Sequence, residues 1–356
     1  MRNKKADKPD YVAEEHGPVY NFFYSYKTHF YQLMTSNLML VVFNIPMLFV
    51  AYLFSLEFLP WINHKLELNN FVEYWGDTLG ASGNASLGND ISGRDAAYQL
   101  YYMLMVFCVM FLIATSLICI GPFQAGFHQI YRNLHRQSGV FIWSDFKDGV
   151  KNNLKQSLIV MLIGILGSAV ILFAIGFYLN GLKGGAGTAL ATFFGVSFFV
   201  FMFIQNMVYQ IMVSVELPLG KIYRNALLFF LLKPGPSIMT ILASVTLLGI
   251  IPFAMMFTSN YALMGITVFY YLVFVITFNQ YMIAFETGEY IDQFVAVQNP
   301  PQEDEEEFKY YSEDREGPSE IGKTDKEEED NDESDNEAPN EEFHIIEEAN
   351  QSEDNG

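Results

Sequence analysis

Six histidines (His16, His29, His64, His128, His135 and His344) and two cysteines, Cys108 and Cys119, are the residue types here that bind metals or do redox chemistry. None of the histidines has a cysteine or acidic partner at metal-ligand spacing. His128 and His135 are seven apart, which puts them on one helical face, but a third ligand is missing. Cys108 and Cys119 fall in an apolar run, where cysteine acts as a small buried hydrophobe. Gly181–Gly187 is glycine-rich but lacks the Gly-Lys-Ser/Thr ending of a phosphate loop, so it is expected to be a turn. No Gly-x-Ser-x-Gly nucleophile turn occurs. No enzyme activity, no metal and no cofactor is expected.

The other chemistry-bearing residues are polar side chains inside apolar stretches, the usual markers of a solute path. They are Asn44 beside Pro46, Gln205, Asn206 and Gln210, and Asn279 with Gln280. All are uncharged; the acids Glu216 and Glu286 lie at the ends of their stretches. A proton- or ion-coupled pump needs a buried ionisable group, and none lies centrally. The competing reading is that these amides bridge helices. Pro46 should kink its helix and free carbonyls near Asn44.

The elements that must position these residues follow from composition. The 356 residues carry 20 Lys+Arg against 40 Asp+Glu, yet 51% are hydrophobic and 16% aromatic. Splitting the chain at Gln302 resolves the conflict. Residues 302–356 hold 24 acidic and 4 basic residues, leaving 16 of each in residues 1–301. An apolar, neutral body thus carries an acidic tail, which excludes a single soluble domain, a basic nucleic-acid binder and a disulfide scaffold. Crossing a bilayer core takes about 20 apolar residues. Uncharged windows give six spans, near 37–56, 98–120, 156–179, 188–213, 237–257 and 261–285. Thr258-Ser259-Asn260 divides the last two, because 52 residues (234–285) would make a helix of about 78 Å. The fold expected is all-α: a polytopic membrane helical bundle with six transmembrane helices, interfacial amphipathic helices and a disordered acidic tail.

Lys and Arg number five in 1–36, two in 57–97, five in 121–155, one in 180–187, three in 214–236 and none at 258–260. The alternation places both termini and the basic loops in the cytoplasm of a multi-pass cell-membrane protein. Arg2, Lys4 and Lys5 do not begin a signal peptide, since no apolar run follows before residue 37. Residues 1–17 are expected to be polar and flexible. Residues 18–34 are rich in Phe and Tyr and should form an interfacial helix or a plain anchor ahead of the first span. Gly80–Gly93 should be mobile, and Asn84-Ala85-Ser86 matches a glycosylation acceptor. In 121–155, Phe123, Phe127, Ile130, Tyr131 and Leu134 repeat on one helical face, opposite His128, Arg132, Asn133 and Arg136. Ser138-Gly139 would stop that helix. Ser144 would cap the next, with Asp145 in its first turn, and Phe146, Val150, Leu154 and Leu158 carry it into the third span. Both helices are expected along the membrane surface, bases toward anionic headgroups. Ile130-Tyr131-Arg132-Asn133 recurs as Ile222-Tyr223-Arg224-Asn225, each copy between two spans, which suggests a parallel duplication. Residues 302–356 cannot bury enough apolar surface to fold; Phe343-His344-Ile345-Ile346 is a short patch able to dock a partner.

Gly121-Pro122, Ala125-Gly126, Tyr131-Arg132-Asn133, Ser144-Asp145-Phe146, Lys151-Asn152 and Lys155-Gln156-Ser157 resemble the YesL family of bacterial integral membrane proteins. Asn44-Ile45-Pro46 is similar too. The resemblance covers about residues 22–290 (a domain of 18–290), leaving out the acidic tail and the long outer loop. It implies an association with carbohydrate utilisation and uptake in Gram-positive bacteria, with no settled activity and no catalytic residues to carry over. The function expected is therefore an accessory or regulatory membrane component of carbohydrate uptake. Its partners would be the lipid bilayer and a membrane transporter subunit, with no nucleic acid. The alternatives are an autonomous transporter or channel using Asn44, Gln205, Asn206, Asn279 and Gln280, and a scaffold recruiting a partner through its tail. The candidate inner-loop motif is Gly121, Pro122, Arg132, Asn133, Asp145, Phe146, Arg224 and Asn225. Nothing in the pattern specifies an oligomeric state.

Overall fold

A computed structural model describes residues 17–81, 92–136, 139–182, 184–256 and 261–296. The expectations for residues 1–16, for Asn84-Ala85-Ser86, for Ser138, for the break at 258–260 and for the tail lie outside the described residues. Among the described residues the chain is helical, without a strand. The helices are α1 (Pro18–Thr28), α2 (Phe30–Phe43), α3 (Ile45–Ile62), α4 (Leu68–Ala81), α5 (Gly93–Ala114), α6 (Gly121–His135), α7 (Ile142–Gly181), α8 (Gly185–Ser214), α9 (Leu219–Leu232), α10 (Pro234–Val245), α11 (Ile251–Met256), α12 (Tyr261–Tyr270) and α13 (Ile276–Ile291). π-helical turns at Thr246–Ile250 and Tyr271–Val275 join α10 to α11 and α12 to α13.

Among the described residues, six helical stretches are long and apolar enough to cross a membrane: Ile45–Ile62, Gly93–Ala114, Ile142–Gly181, Gly185–Ser214, Pro234–Met255 and Gly265–Phe294. The first begins later than expected. Pro46 does not kink a continuous helix but sits in the first turn of α3, where a missing N–H costs nothing. The chain breaks at Asn44, and the shorter apolar α2 precedes it. The second span stops at Ala114 and gives way to a non-helical segment, 115–120. The third is 40 residues long and includes the helix expected at 144–155. At about 1.5 Å per residue it measures roughly 60 Å, twice a bilayer core. Its start lies ahead of Ser144. Phe141 is the N-cap, and the Asp145 carboxylate accepts from the Phe141 N–H at 3.0 Å. Gly184, at φ 90°, makes the turn into α8 that a side chain would strain.

Two ends of the bundle are fixed by polar contacts. At one, the Trp61 indole donates to Phe173 O at 3.0 Å and Asn180 donates to Trp61 O at 2.7 Å, joining the end of α3 to the end of α7. At the other, Arg132 of α6 donates to Val213 O at the end of α8 (2.8 Å), and Gln156 of α7 donates to Leu217 O (3.3 Å). The helix near residue 18 is not solely interfacial. Phe22 is buried against Phe278, Tyr281 and Phe285 of α13, and the Ser25 and Tyr281 hydroxyls lie 2.6 Å apart. Phe23 and Tyr31 face outward, as an interfacial surface requires. The α4 helix stands where only a long loop was expected, holding Phe71 and Trp75 against Tyr101 of α5. The α13 face toward α6 is held by Asn37, whose amide spans the second π-turn. It donates to Tyr271 O (3.1 Å) and Leu272 O (2.6 Å) and accepts from Thr277 N–H (2.7 Å). A π-turn leaves such groups short of helical partners, and one asparagine supplies all three bonds.

Candidate functional site

The site is organised by α6, and its position corrects the surface helix expected from the sequence. Gly121, Pro122, Gln124, Ala125, Gly126, Phe127, His128, Ile130, Tyr131 and Leu134 are all buried in protein. Its apolar face alone did not decide this. The opposite face carries Gln124, His128 and His135, with Tyr131 at its edge, and each finds a polar group on a neighbouring element that offsets part of the cost of burial. Small residues permit the approach to α7. A Cβ on Gly121 would sit 2.1 Å from Ser157 O, and one on Gly126 would sit 2.6 Å from the Phe146 ring. Phe146 then packs among Phe43, Phe123, Phe127 and Trp143, with ring centroids 5.0–6.0 Å away.

Two broken helices meet beside α6. In the buried 115–120 segment, Ser116 adopts φ 62°, in the left-handed region. The Asn44 side-chain Oδ1, at the break between α2 and α3, accepts from Ile120 N–H at 2.8 Å. Thr115 O accepts from Asn206 at 3.2 Å. The Ser116 hydroxyl accepts from Gln280 at 2.7 Å and from Gln124 at 3.2 Å. The Tyr131 hydroxyl lies 3.2 Å from Gln280 Oε1 and 3.3 Å from the Thr277 hydroxyl. His128 Nδ1 is 3.0 Å from Gln210 Oε1. That oxygen only accepts, so Nδ1 carries the proton and Nε2 keeps its lone pair. His128 lies on α6, outside the six spans, and burial pushes its imidazole down to about 4. Gln124 Oε1, His128 Nε2, Asn206 Oδ1 and both polar atoms of Asn279 are buried with no hydrogen-bond partner. This seam can hold water or a small polar group but carries no fixed charge at its centre.

The sequence-derived residues divide accordingly. Asn44, Asn206 and Gln280 tie the seam together, while Gln205 bridges elsewhere, donating to Val160 O (3.0 Å) and accepting from the Tyr223 hydroxyl (2.6 Å). Asn279 is fully buried and makes neither bond. Gly121, Pro122, Arg132, Asn133, Asp145 and Phe146 come together along α6 and the start of α7. Arg224 and Asn225 do not join them; they lie on α9, where Arg224 is exposed. The four-residue repeat therefore occupies unlike settings: Tyr131 is fully buried, Tyr223 only partly. His128 and His135 do not pair. His135 Nε2 is 3.2 Å from the Asp292 carboxylate instead. Ser116, Gln124, Tyr131 and Thr277 were missed, although Gln124, His128, Tyr131 and His135 stand at i, i+4, i+7 and i+11, a second stripe that was legible.

At the α6 end of the seam lies an open cleft of about 860 Å³, between α6, the first half of α7 and residues 212–218. Arg132, Lys151 and Lys155 line it, with Glu216 as its one carboxylate. Partial burial and the nearby Arg136 lower the pKa of Arg132, so its charge is poorly compensated. A second cavity, about 220 Å³ and walled by Phe54, Phe58, Phe111 and Phe198, is apolar.

Fold and site together define a multi-pass integral membrane protein of unknown activity, built on a buried polar seam. A family model described as "Protein of unknown function, DUF624" matches residues 100–175, which run from α5 through α6 into α7. No curated protein and no solved structure matches the chain.

Proposed function

We propose that this chain is an accessory or regulatory membrane component linked to carbohydrate uptake, a non-enzymatic member of the YesL family. Both termini and the basic cleft would face the cytoplasm of a cell-membrane protein. The observation that carries the proposal is the division of polar groups. Within the spans, most amides are spent fixing helices to one another, whereas the charged, open volume lies at one end, among the basic loops. The carbohydrate link rests on the resemblance of the α6–α7 residues. Affinity purification from native membranes, full length beside a chain ending at Gln302, tests it. A sugar-transporter subunit retained by both forms supports the proposal and places the contact in the membrane body. Retention by the full-length form alone shifts the function to a tail-based scaffold, and no partner at all refutes both.

A second reading, an autonomous transporter or channel, is favoured by Asn279, whose buried amide is unspent next in sequence to Gln280 of the seam. Solute flux in liposomes that falls on Asn279→Ala would support it; no flux would remove it.

A further inference from the structure

The cleft at the α6 end has a composition that the helix-fixing seam does not account for. Arg132 lies half-buried on α6; Lys151 and Lys155 stand one turn apart on α7. Among the described residues none of the three is within ion-pair reach of a carboxylate, Glu216 included. Arg136, one turn beyond Arg132, adds like charge. Three cations without an ion pair line one cleft, and Arg132 does so from a partly desolvated position beside Arg136. The Arg132 guanidinium is also held in place. Nη1 donates to Val213 O at 2.8 Å, so its plane is oriented before any ligand arrives, and its buried Nε has no partner.

An anion in the cleft would relieve the repulsion. A planar carboxylate satisfies one guanidinium; a tetrahedral phosphate offers oxygens to an arginine and two lysines at once. Gln129 and Asn152 supply amide groups along the same wall. The volume exceeds that of a phosphate alone and leaves room for the body that bears it. Leu154 and Leu158, exposed on the same helix, continue the wall onto the apolar flank of α7. We propose that this cleft binds a phosphate group through Arg132, Lys151 and Lys155, carried by either a soluble phosphomonoester or an anionic phospholipid.

The test uses the full chain in phosphatidylcholine nanodiscs, titrated with glycerol 3-phosphate and with inorganic phosphate by calorimetry. In parallel, native mass spectrometry counts the lipids kept by protein from nanodiscs of equal phosphatidylcholine and phosphatidylglycerol. Saturable binding of a soluble phosphate assigns the first source; preferential retention of phosphatidylglycerol assigns the second. In either case Lys151→Gln/Lys155→Gln, a change at two exposed positions, should weaken binding or retention at least tenfold. Arg132→Gln should do the same. Binding that survives the double lysine change, or no binding in either arm, overturns the proposal. Partner capture is a separate readout, so the failure of one leaves the other standing.

Discussion

The close packing of α6 on α7 makes Gly149 a sensitive position. Alanine there would normally help, because Ala is about 1 kcal/mol better than Gly inside a helix. The geometry reverses the sign. A Cβ at 149 would lie 2.7 Å from Gln129 Cβ, 2.9 Å from Ala125 O and 2.9 Å from Gly126 Cα. Two of those three atoms are backbone, which cannot rotate away. Restoring an ordinary contact of 3.4 Å requires α6 and α7 to part by about 0.7 Å. That shift would also loosen Phe146 from Phe127, now 5.0 Å apart between centroids. Overpacking of this kind costs about 1–3 kcal/mol, so against the propensity gain a net loss of up to about 2 kcal/mol is expected, and about 1–3 kcal/mol relative to an unobstructed Gly→Ala change. Gly195→Ala on α8 is the matched control. Nothing lies within 4 Å of its Cβ position, so only the propensity gain remains. Thermal unfolding of both variants in one detergent, read by a thiol probe or intrinsic fluorescence, gives the comparison. If Gly149→Ala proved as stable as Gly195→Ala, the α6–α7 contact would be wrong, and with it the placement of the seam.

Three further outcomes are expected. The His128 imidazole is held down to about 4 from 6.5 by burial, so the folded protein resists its protonation. Its contribution is full above about pH 6.5, falls as the pH drops and is gone by about pH 4, a loss of about 3 kcal/mol. Wild-type stability should therefore fall between about pH 6.5 and pH 4, while His128→Gln, uncharged throughout, escapes that fall, so the two profiles separate as the pH drops through this window. Asn37→Leu strands Tyr271 O, Leu272 O and Thr277 N–H, at about 1–3 kcal/mol for each buried group, and should lower the melting temperature more than any surface change. Asn44→Ala uncouples the two helix breaks by leaving Ile120 N–H unpaired, with a loss of about 1–3 kcal/mol and faster hydrogen exchange across 115–120.

Hydropathy made the six spans legible because each needs only length and absence of charge, and Pro46 marked the interruption of the first. The fate of α6 was not legible in the same way. A helix with one apolar and one polar face reads as surface-lying whenever its partners are unknown. Here the partners of Gln124, His128 and Tyr131 are Ser116, Gln210, Thr277 and Gln280, between 8 and 149 residues away in sequence. No local pattern encodes such pairings. The α4 helix was hidden for the opposite reason: Phe71 and Trp75 alone, set among polar residues, make a weak stripe until Tyr101 is there to meet them. The π-turns left no trace, since widening one turn changes neither hydropathy nor propensity.

The turn at Tyr271–Val275 also works as a phase adjuster. An α-helix advances about 100° per residue, so one residue of excess in a turn swings everything beyond it by that angle. Upstream, Ile266 and Phe269 point outward; downstream, Thr277, Gln280, Ala284 and Gly288 all point at α6 and its surroundings. Excising a single residue from 271–275 would leave a sound helix of nearly the same length and hydropathy. It would nonetheless rotate the hydroxyl and amide of Thr277 and Gln280 away from Tyr131. Chain length through this one turn is therefore under a constraint as strict as the identity of any residue in the seam.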